Sequence, residues 1–224
     1  MEAADRLLSF KNQVPEHIKI VAVTKNQPVR IIESLYHAGH RCFGENKVQE
    51  LLSKYRALPG DIEWHFIGHL QRNKVKQIVP FIAMIQSIDS FRLLLEVHQE
   101  AQRCNRSIPC LLQFHIATET TKYGLDWNEA VDLLNSVRSS PLSSIRICGV
   151  MGMATLTEDP SIIAHEFRSL VSIFTMIRET YFQGDPGFRE ISMGMSGDYS
   201  LALQLGSTIL RIGSLFFQNG NSHK

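Results

Sequence analysis

Short apolar runs alternate along the chain with longer segments whose apolar residues recur every three or four positions. The short runs read as buried strands, and eight are predicted, over residues 18–24, 41–43, 63–67, 84–87, 109–116, 146–151, 189–192 and 208–212. Between them, Val29, Ile32, Leu35 and Tyr36 form a helical stripe, with Pro28 at its first position and Gly39 as its stop. A second helix starts at Asp126, where Glu129 completes a capping box, and carries Ala130, Leu133, Leu134 and Val137 on one face. A third runs from Pro160 through Phe167, Leu170, Val171, Phe174 and Ile177 to Tyr181. Repeated strand–helix units without a linker predict one α/β domain over residues 1–224, closed as a single (β/α)8 TIM-type barrel. A doubly wound sheet is the alternative, but its Gly-x-Gly-x-x-Gly turn is missing because the first strand ends in Thr24-Lys25-Asn26.

Of the 224 residues, 44% are apolar and 20% charged, the balance of a folded globular protein and far from that of a disordered chain. Lysine and arginine number 23 against 22 acids, so no overall field favours nucleic acid or anionic lipid. Residues 1–13 mix Glu2, Asp5, Arg6 and Lys11 with apolar residues, which predicts a short helix and not a secretory signal. No apolar run reaches the length of a membrane span, and a cytoplasmic location is expected. Cys42, Cys104, Cys110 and Cys148 form no C-x-x-C pair and are expected as buried thiols. His65 and His69 have metal-like spacing, but a strand-to-loop setting would not put them on one helical face, and no metal is expected.

In a β/α barrel the reactive groups project from the C-terminal ends of the strands. Those ends carry Lys25, Gly44-Glu45-Asn46, Gly68-His69, Ser87-Ile88-Asp89, His115, Met151-Gly152-Met153, residues 192–197 and Arg211-Ile212-Gly213-Ser214. Lys25 directly follows Ile20-Val21-Ala22-Val23-Thr24, where desolvation would favour a neutral amine able to attack an aldehyde. The alternative is a side chain that snorkels to solvent. Ser192-Met193-Gly194-Met195-Ser196-Gly197-Asp198 leads into a helix predicted over 199–205 and has the small residues of a phosphate cup. A plain glycine turn capped by Ser196 or Asp198 fits the same residues. Arg211 stands among apolar neighbours and needs either an anionic ligand or a buried salt bridge. Gly213 and Ser214 add amides and a hydroxyl, at the end of the eighth strand, where barrels often bind phosphate.

Further landmarks are Val21-Ala22-Val23-Thr24-Lys25, Phe43-Gly44-Glu45-Asn46 with Gln49-Glu50, and Trp64-His65-Phe66-Ile67-Gly68-His69-Leu70-Gln71 with Asn73-Lys74. Ser192-Met193-Gly194-Met195-Ser196 and Gly206-Ser207-Thr208 with Arg211-Ile212-Gly213 complete the set. On these residues the chain resembles the pyridoxal 5'-phosphate (PLP) homeostasis protein family, which is related to the alanine racemase N-terminal barrel. The resemblance implies PLP as cofactor, Lys25 as the internal aldimine, Arg211 facing the pyridine nitrogen, and Ser196, Gly213 and Ser214 on the phosphate. Asn46 and His65 would line the pocket, although Asn46 could instead cap a helix and His65 could be a core histidine. His115 stands where many relatives have asparagine, and Phe216-Phe217-Gln218 replaces a common Phe-Gly ending.

The resemblance further implies a cytoplasmic carrier or buffer of PLP, monomeric, binding neither nucleic acid nor membrane, with apo PLP-dependent enzymes as its partners. It is expected not to be an enzyme, because a permanent cation beside the pyridine nitrogen disfavours ring protonation and weakens the electron sink. Only eleven residues follow Gly213, which leaves no room for the second domain that gives alanine racemase its opposing base. The alternatives are a PLP-dependent amino-acid racemase-like enzyme and a Schiff-base aldolase.

Overall fold

The structure, a computed structural model, describes residues 2–117 and 123–217. Its centre is a closed barrel of parallel strands in chain order. They are β1 (Lys19–Val23), β2 (Cys42–Glu45), β3 (Glu63–Phe66), β4 (Met84–Ile88), β5 (Ile108–Phe114), β6 (Ile145–Gly152), β7 (Glu190–Ser192) and β8 (Ile209–Ile212). β8 returns to β1 in four register pairs, Lys19 with Ile209 through Ala22 with Ile212. The predicted strands all form, with ends displaced by a residue or two. Thr24 is already outside β1, whereas β2 continues through Glu45 because its end pairs with β3 as far as Phe66.

Around the barrel run α1 (Ala3–Lys11), α2 (Val29–His37), α3 (Val48–Ala57), α4 (Val75–Ile78), α5 (Phe91–Arg103), α6 (Trp127–Ser139), α7 (Pro160–Tyr181), α8 (Tyr199–Gln204) and α9 (Ser214–Phe217). Local chemistry sets their ends. Asp126 accepts the Glu129 N–H at 2.8 Å while Glu129 accepts the Asp126 N–H at 2.9 Å, closing the expected capping box of α6. α7 opens at Pro160, whose missing N–H costs nothing in the first turn, with Asp159 accepting from Ser161. Pro28 stands at the N-cap of α2 and not at its first helical position, and Gly39 ends the connection at φ +83°.

The larger core lies between barrel and helices and includes Leu7, Ile32, Leu51, Phe66, Leu94, Phe167 and Phe216. A second cluster, Val21, Cys42, Met84, Leu111, Cys148, Met151 and Ile209, draws on strands alone and therefore fills the barrel's interior. Three cysteines are buried as expected, but Cys104 is exposed, because it stands just past the last turn of α5. Among the described residues no helix is long and apolar enough to cross a membrane.

One irregularity matters for the site. Cys110 pairs with Ile147 but Leu111 pairs with Gly149, so Cys148 is an extra residue in β6, a bulge. The slip changes which β6 side chains face inward, putting both Cys148 and Met151 in the interior cluster with Met153 packed against it. Gly149 makes this possible: its φ is +153°, and a Cβ there would lie 1.8 Å from the Glu190 carbonyl oxygen. Gly149→Ala is expected to destabilise the protein by about 2–4 kcal/mol, from overpacking plus backbone strain. Urea unfolding of the variant measures it, and an unchanged midpoint would contradict this account of the bulge.

Candidate functional site

At the C-terminal ends of the strands a cavity of about 460 Å³ is lined by Lys25, Asn46, Ser196, Arg211, Gly213 and Ser214, together with Val23, Ile67, Gly68, Met153, Leu156, Met195 and Gly197. Six of the seven residues singled out in the sequence therefore meet in one place, and His65 does not. Size does not identify the site, since a cleft of about 620 Å³ opens at the opposite end among Lys19, Glu63, His65, Arg146 and Glu190. There Cys42, Glu63 and His65 bring donor atoms within 4.8 Å of one another. They are committed elsewhere: Lys19 lies 3.8 Å from Glu63, and burial pushes the Cys42 thiol up to about 12. Convergent chemistry, not volume, marks the upper cavity.

Lys25 stands two residues past the end of β1, after Thr24, and is exposed. The apolar strand that precedes it does not enclose its side chain, contrary to the expectation from the sequence; Lys25 is part of the cavity's lining. Across the cavity, Ser196 Oγ accepts the Gly213 N–H at 3.2 Å and the Leu215 N–H at 3.3 Å. Two backbone amides after β8 thus converge on a hydroxyl oxygen from the loop after β7, where an anion's oxygen would find the same donors. Around Gly197 an added Cβ would meet nothing within 4 Å, so the loop is open there. Gly194 plays another part. At φ +94° its Cβ would press within 2.6 Å of Ala202 Cβ and 2.8 Å of Leu210 Cδ2, so it lets α8 close on β8 and does not widen a cup. Asp198 occupies the N-cap position of α8 without capping the helix by its side chain, which accepts the Met195 N–H instead.

Arg211 is 3% exposed. It donates to Ser192 Oγ at 2.6 Å and to the Gly152 carbonyl at 2.8 Å, both neutral acceptors. Among the described residues it forms no salt bridge. Burial draws its pKa down to about 10, with the Asp198 charge opposing that shift. A guanidinium held at the cavity without a carboxylate against it favours an anionic or electron-rich ligand.

The polar chain continues inward. Ser192 Oγ donates to Gln86 Oε1 at 2.7 Å, Gln86 Nε2 donates to His65 Nδ1 at 2.8 Å, and His65 Nε2 lies 3.5 Å from Cys42 Sγ. Every bond points the same way, from Arg211 towards Cys42. His65 is 1% exposed, carries this relay on to Cys42 and does not line the upper cavity. Burial, aided by the charge of Lys19, lowers its pKa to about 3, so the imidazole is neutral and can accept from Gln86. Gln86 escapes a reading of the sequence, although a glutamine inside the apolar run 84–88 is the kind of buried polar residue that signals a partner.

Asn46 lines the cavity, and its Oδ1 is enclosed without a hydrogen-bond partner. The N-cap of α3 is Lys47, so Asn46 does not serve as the helix cap. The orphaned amide oxygen fits a ligand donor. His115 stands half-buried past β5 and does not line the cavity; its backbone N–H donates to the Leu125 carbonyl. His69 lies beyond the end of β3, 3.1 Å from Asp89 and stacked on Tyr123 at 4.0 Å, so it and His65 do not form a pair. Of the divergent ending, Phe216 is buried beneath Phe10, and Gln218 lies outside the described residues.

The sequence profile of the alanine racemase N-terminal domain matches residues 3–219. That assigns the barrel to the alanine racemase N-terminal class. Alanine racemase of Clostridium difficile 630 shares the fold, with a TM-score of 0.78 at 12% identity over 99% of this chain and 57% of that one. A pyridoxal phosphate homeostasis protein of Synechocystis sp. is 34% identical over 206 residues, 91% of this chain and 92% of the relative. The structure of PipY from Synechococcus elongatus, solved with PLP bound, superposes with a TM-score of 0.87 at 32% identity, over 97% of this chain and all of that one. Within the class, the chain belongs to the pyridoxal phosphate homeostasis protein family.

The relay is open to two measurements. Gln86→Leu takes the acceptor from the Ser192 hydroxyl hydrogen, which keeps only its bond from Arg211, and the donor from buried His65 Nδ1, and is expected to cost about 2–4 kcal/mol, read by urea unfolding. His65 binds its proton near pH 3 when folded against 6.5 unfolded, so the unfolded chain holds more protons between these values. The stability linked to it is complete above pH 6.5 and is lost as pH falls towards 3. Melting temperatures of the parent should drop over that window, and those of His65→Gln should drop less steeply; parallel curves would contradict a neutral buried imidazole.

Proposed function

We propose that this protein holds PLP covalently through Lys25 and acts as a cytoplasmic carrier or buffer of the cofactor, without substantial turnover of amino acids. The observation that carries this reading is the meeting in one cavity of an exposed lysine, two amides aimed at one oxygen position, and a buried guanidinium without a carboxylate. When bound, PLP supplies an aldehyde carbon and an electron-withdrawing ring. Lys25 provides the amine. Ser196, Gly213 and Ser214 hold the phosphate, Arg211 meets the ring nitrogen, and Asn46 offers its unpaired amide oxygen to the rest of the ring.

The same residues account for weak chemistry on amino acids. Arg211 is fixed as a donor by its two neutral acceptors and has no proton to give the ring nitrogen at neutral pH. Among the described lining residues, Lys25 and Arg211 are the titratable ones, so a second base to take part in a two-sided proton transfer does not stand in the wall. His65 supports Arg211 from below without touching the ligand. The barrel works as one domain and as a monomer, handing the cofactor to apo-enzymes from the open end.

Reduction with borohydride followed by peptide mapping is expected to fix the cofactor on Lys25. Lys25→Ala should lose that adduct entirely while its melting temperature stays within about 2 °C, because the residue is exposed. Adduct retained on the variant would refute the choice of lysine. Turnover of any common amino acid at an ordinary enzymatic rate, about 1 per second or faster, would replace the carrier with the racemase-like alternative.

A further inference from the structure

Both peptide groups that join Lys25 to the chain are held by charged side chains. Lys54, on α3 and 4% exposed, donates from Nζ to the Thr24 carbonyl at 2.7 Å, to Glu45 Oε1 at 2.7 Å and to Glu50 Oε1 at 2.6 Å. The same Glu50 oxygen accepts the Asn26 N–H at 2.6 Å. Glu45 Oε1 also accepts the Thr24 hydroxyl at 2.5 Å, and the Thr24 N–H donates to the Gly44 carbonyl at 3.0 Å. The Thr24 carbonyl belongs to the peptide before Lys25 and the Asn26 N–H to the peptide after it, so the two planes that define the Lys25 backbone are both tied down.

This arrangement is costly for a device that only stabilises the fold. Glu45 is fully buried, desolvation raises its pKa against the pull of Lys54 and Thr24, and its Oε2 has no partner. Asn26 adds strain, since it adopts φ +60°, a region that most side chains avoid. Apolar residues of similar volume would support the barrel as well. Lys54 has all three of its donors engaged and is not a second amine for the aldehyde.

We propose that Glu45, Glu50 and Lys54 are a positioning triad that presets the Lys25 backbone for covalent capture of the aldehyde. Their role rests on PLP being the ligand of the cavity. In the capture step Lys25 Nζ adds to the aldehyde carbon, a C=N bond forms, and the carbonyl oxygen leaves as water with the two amine hydrogens. A backbone fixed beforehand leaves the lysine side chain as the only part to be ordered, and small displacements of a reacting group slow such steps strongly.

The test compares PLP with pyridoxine 5'-phosphate, which has the same ring and phosphate but no aldehyde. In Glu50→Ala and Lys54→Met the rate of capture at Lys25, read by absorbance and by borohydride trapping, should fall about tenfold to a hundredfold. Affinity for pyridoxine 5'-phosphate should stay within about twofold, and Glu50→Gln, which keeps an oxygen for the Asn26 N–H, should recover most of the rate. Parental capture rates in Glu50→Ala would overturn the proposal, as would an equal loss of both ligands, which marks general damage to the cavity. If Lys54→Met does not fold, Glu50→Ala decides, its carboxylate being partly exposed. Failure of the parent itself to fix PLP at Lys25 would overturn the reading beneath the proposal, and is told apart by needing no variant.

Discussion

Everything at the site depends on the closure of β8 onto β1. Their parallel pairing sets Val21 beside Arg211 and Ala22 beside Ile212, so the loops that come after them carry Lys25 and Gly213 to the same rim. Without that seam the Lys25 amine and the amides after β8 that converge on Ser196 would have no common pocket. Bringing such distant segments together costs loop entropy, which the outer layer of buried side chains offsets by removing apolar area from water. The bulge in β6 is a smaller adjustment of the same cylinder, turning Met153 towards the cavity that the seam creates.

Two buried cations meet the problem of desolvation in different ways. Lys54 is neutralised by two carboxylates, and its field is spent on the backbone around Lys25. Arg211 is satisfied by a hydroxyl and a carbonyl, which complete hydrogen bonds without cancelling charge. In a low-dielectric interior an uncancelled cation is a strong bias on what can bind beside it, whereas a cancelled one is scaffolding. The polarity of the relay through Ser192, Gln86 and His65 keeps Arg211 a donor, since the neutral imidazole at the far end receives and does not give at Nδ1.

Membership of the alanine racemase N-terminal class concerns the frame, and the family concerns what the frame holds. At 12% identity the racemase shares the course of the backbone, so its chemistry does not transfer by shape. What the cavity itself presents is a lysine, a set of converging amides and hydroxyls, and an arginine that forms no salt bridge among the described residues.

From the order of its residues alone, the chain declares its elements and their faces. Periods of two and of three to four are local properties, the capping box at Asp126 and the proline at 160 are local too, and the count of strands implied the closed barrel. That Lys25, Ser196, Arg211 and Gly213 would line one cavity was legible because a strand's C-terminal end is a position in sequence as well as in space. His65 shows the boundary of that reading. Alternation places it on an inward face, but depth comes from the neighbours, and pairing with Gly44 and Met84 sets it below the rim, where it supports Arg211 through Gln86 and Ser192. Lys54 likewise reads as an ordinary helical lysine four residues after Glu50, until the packing of α3 brings it under Thr24. Period is written along the backbone; register and depth exist only between segments, and so they were decided by the tertiary structure.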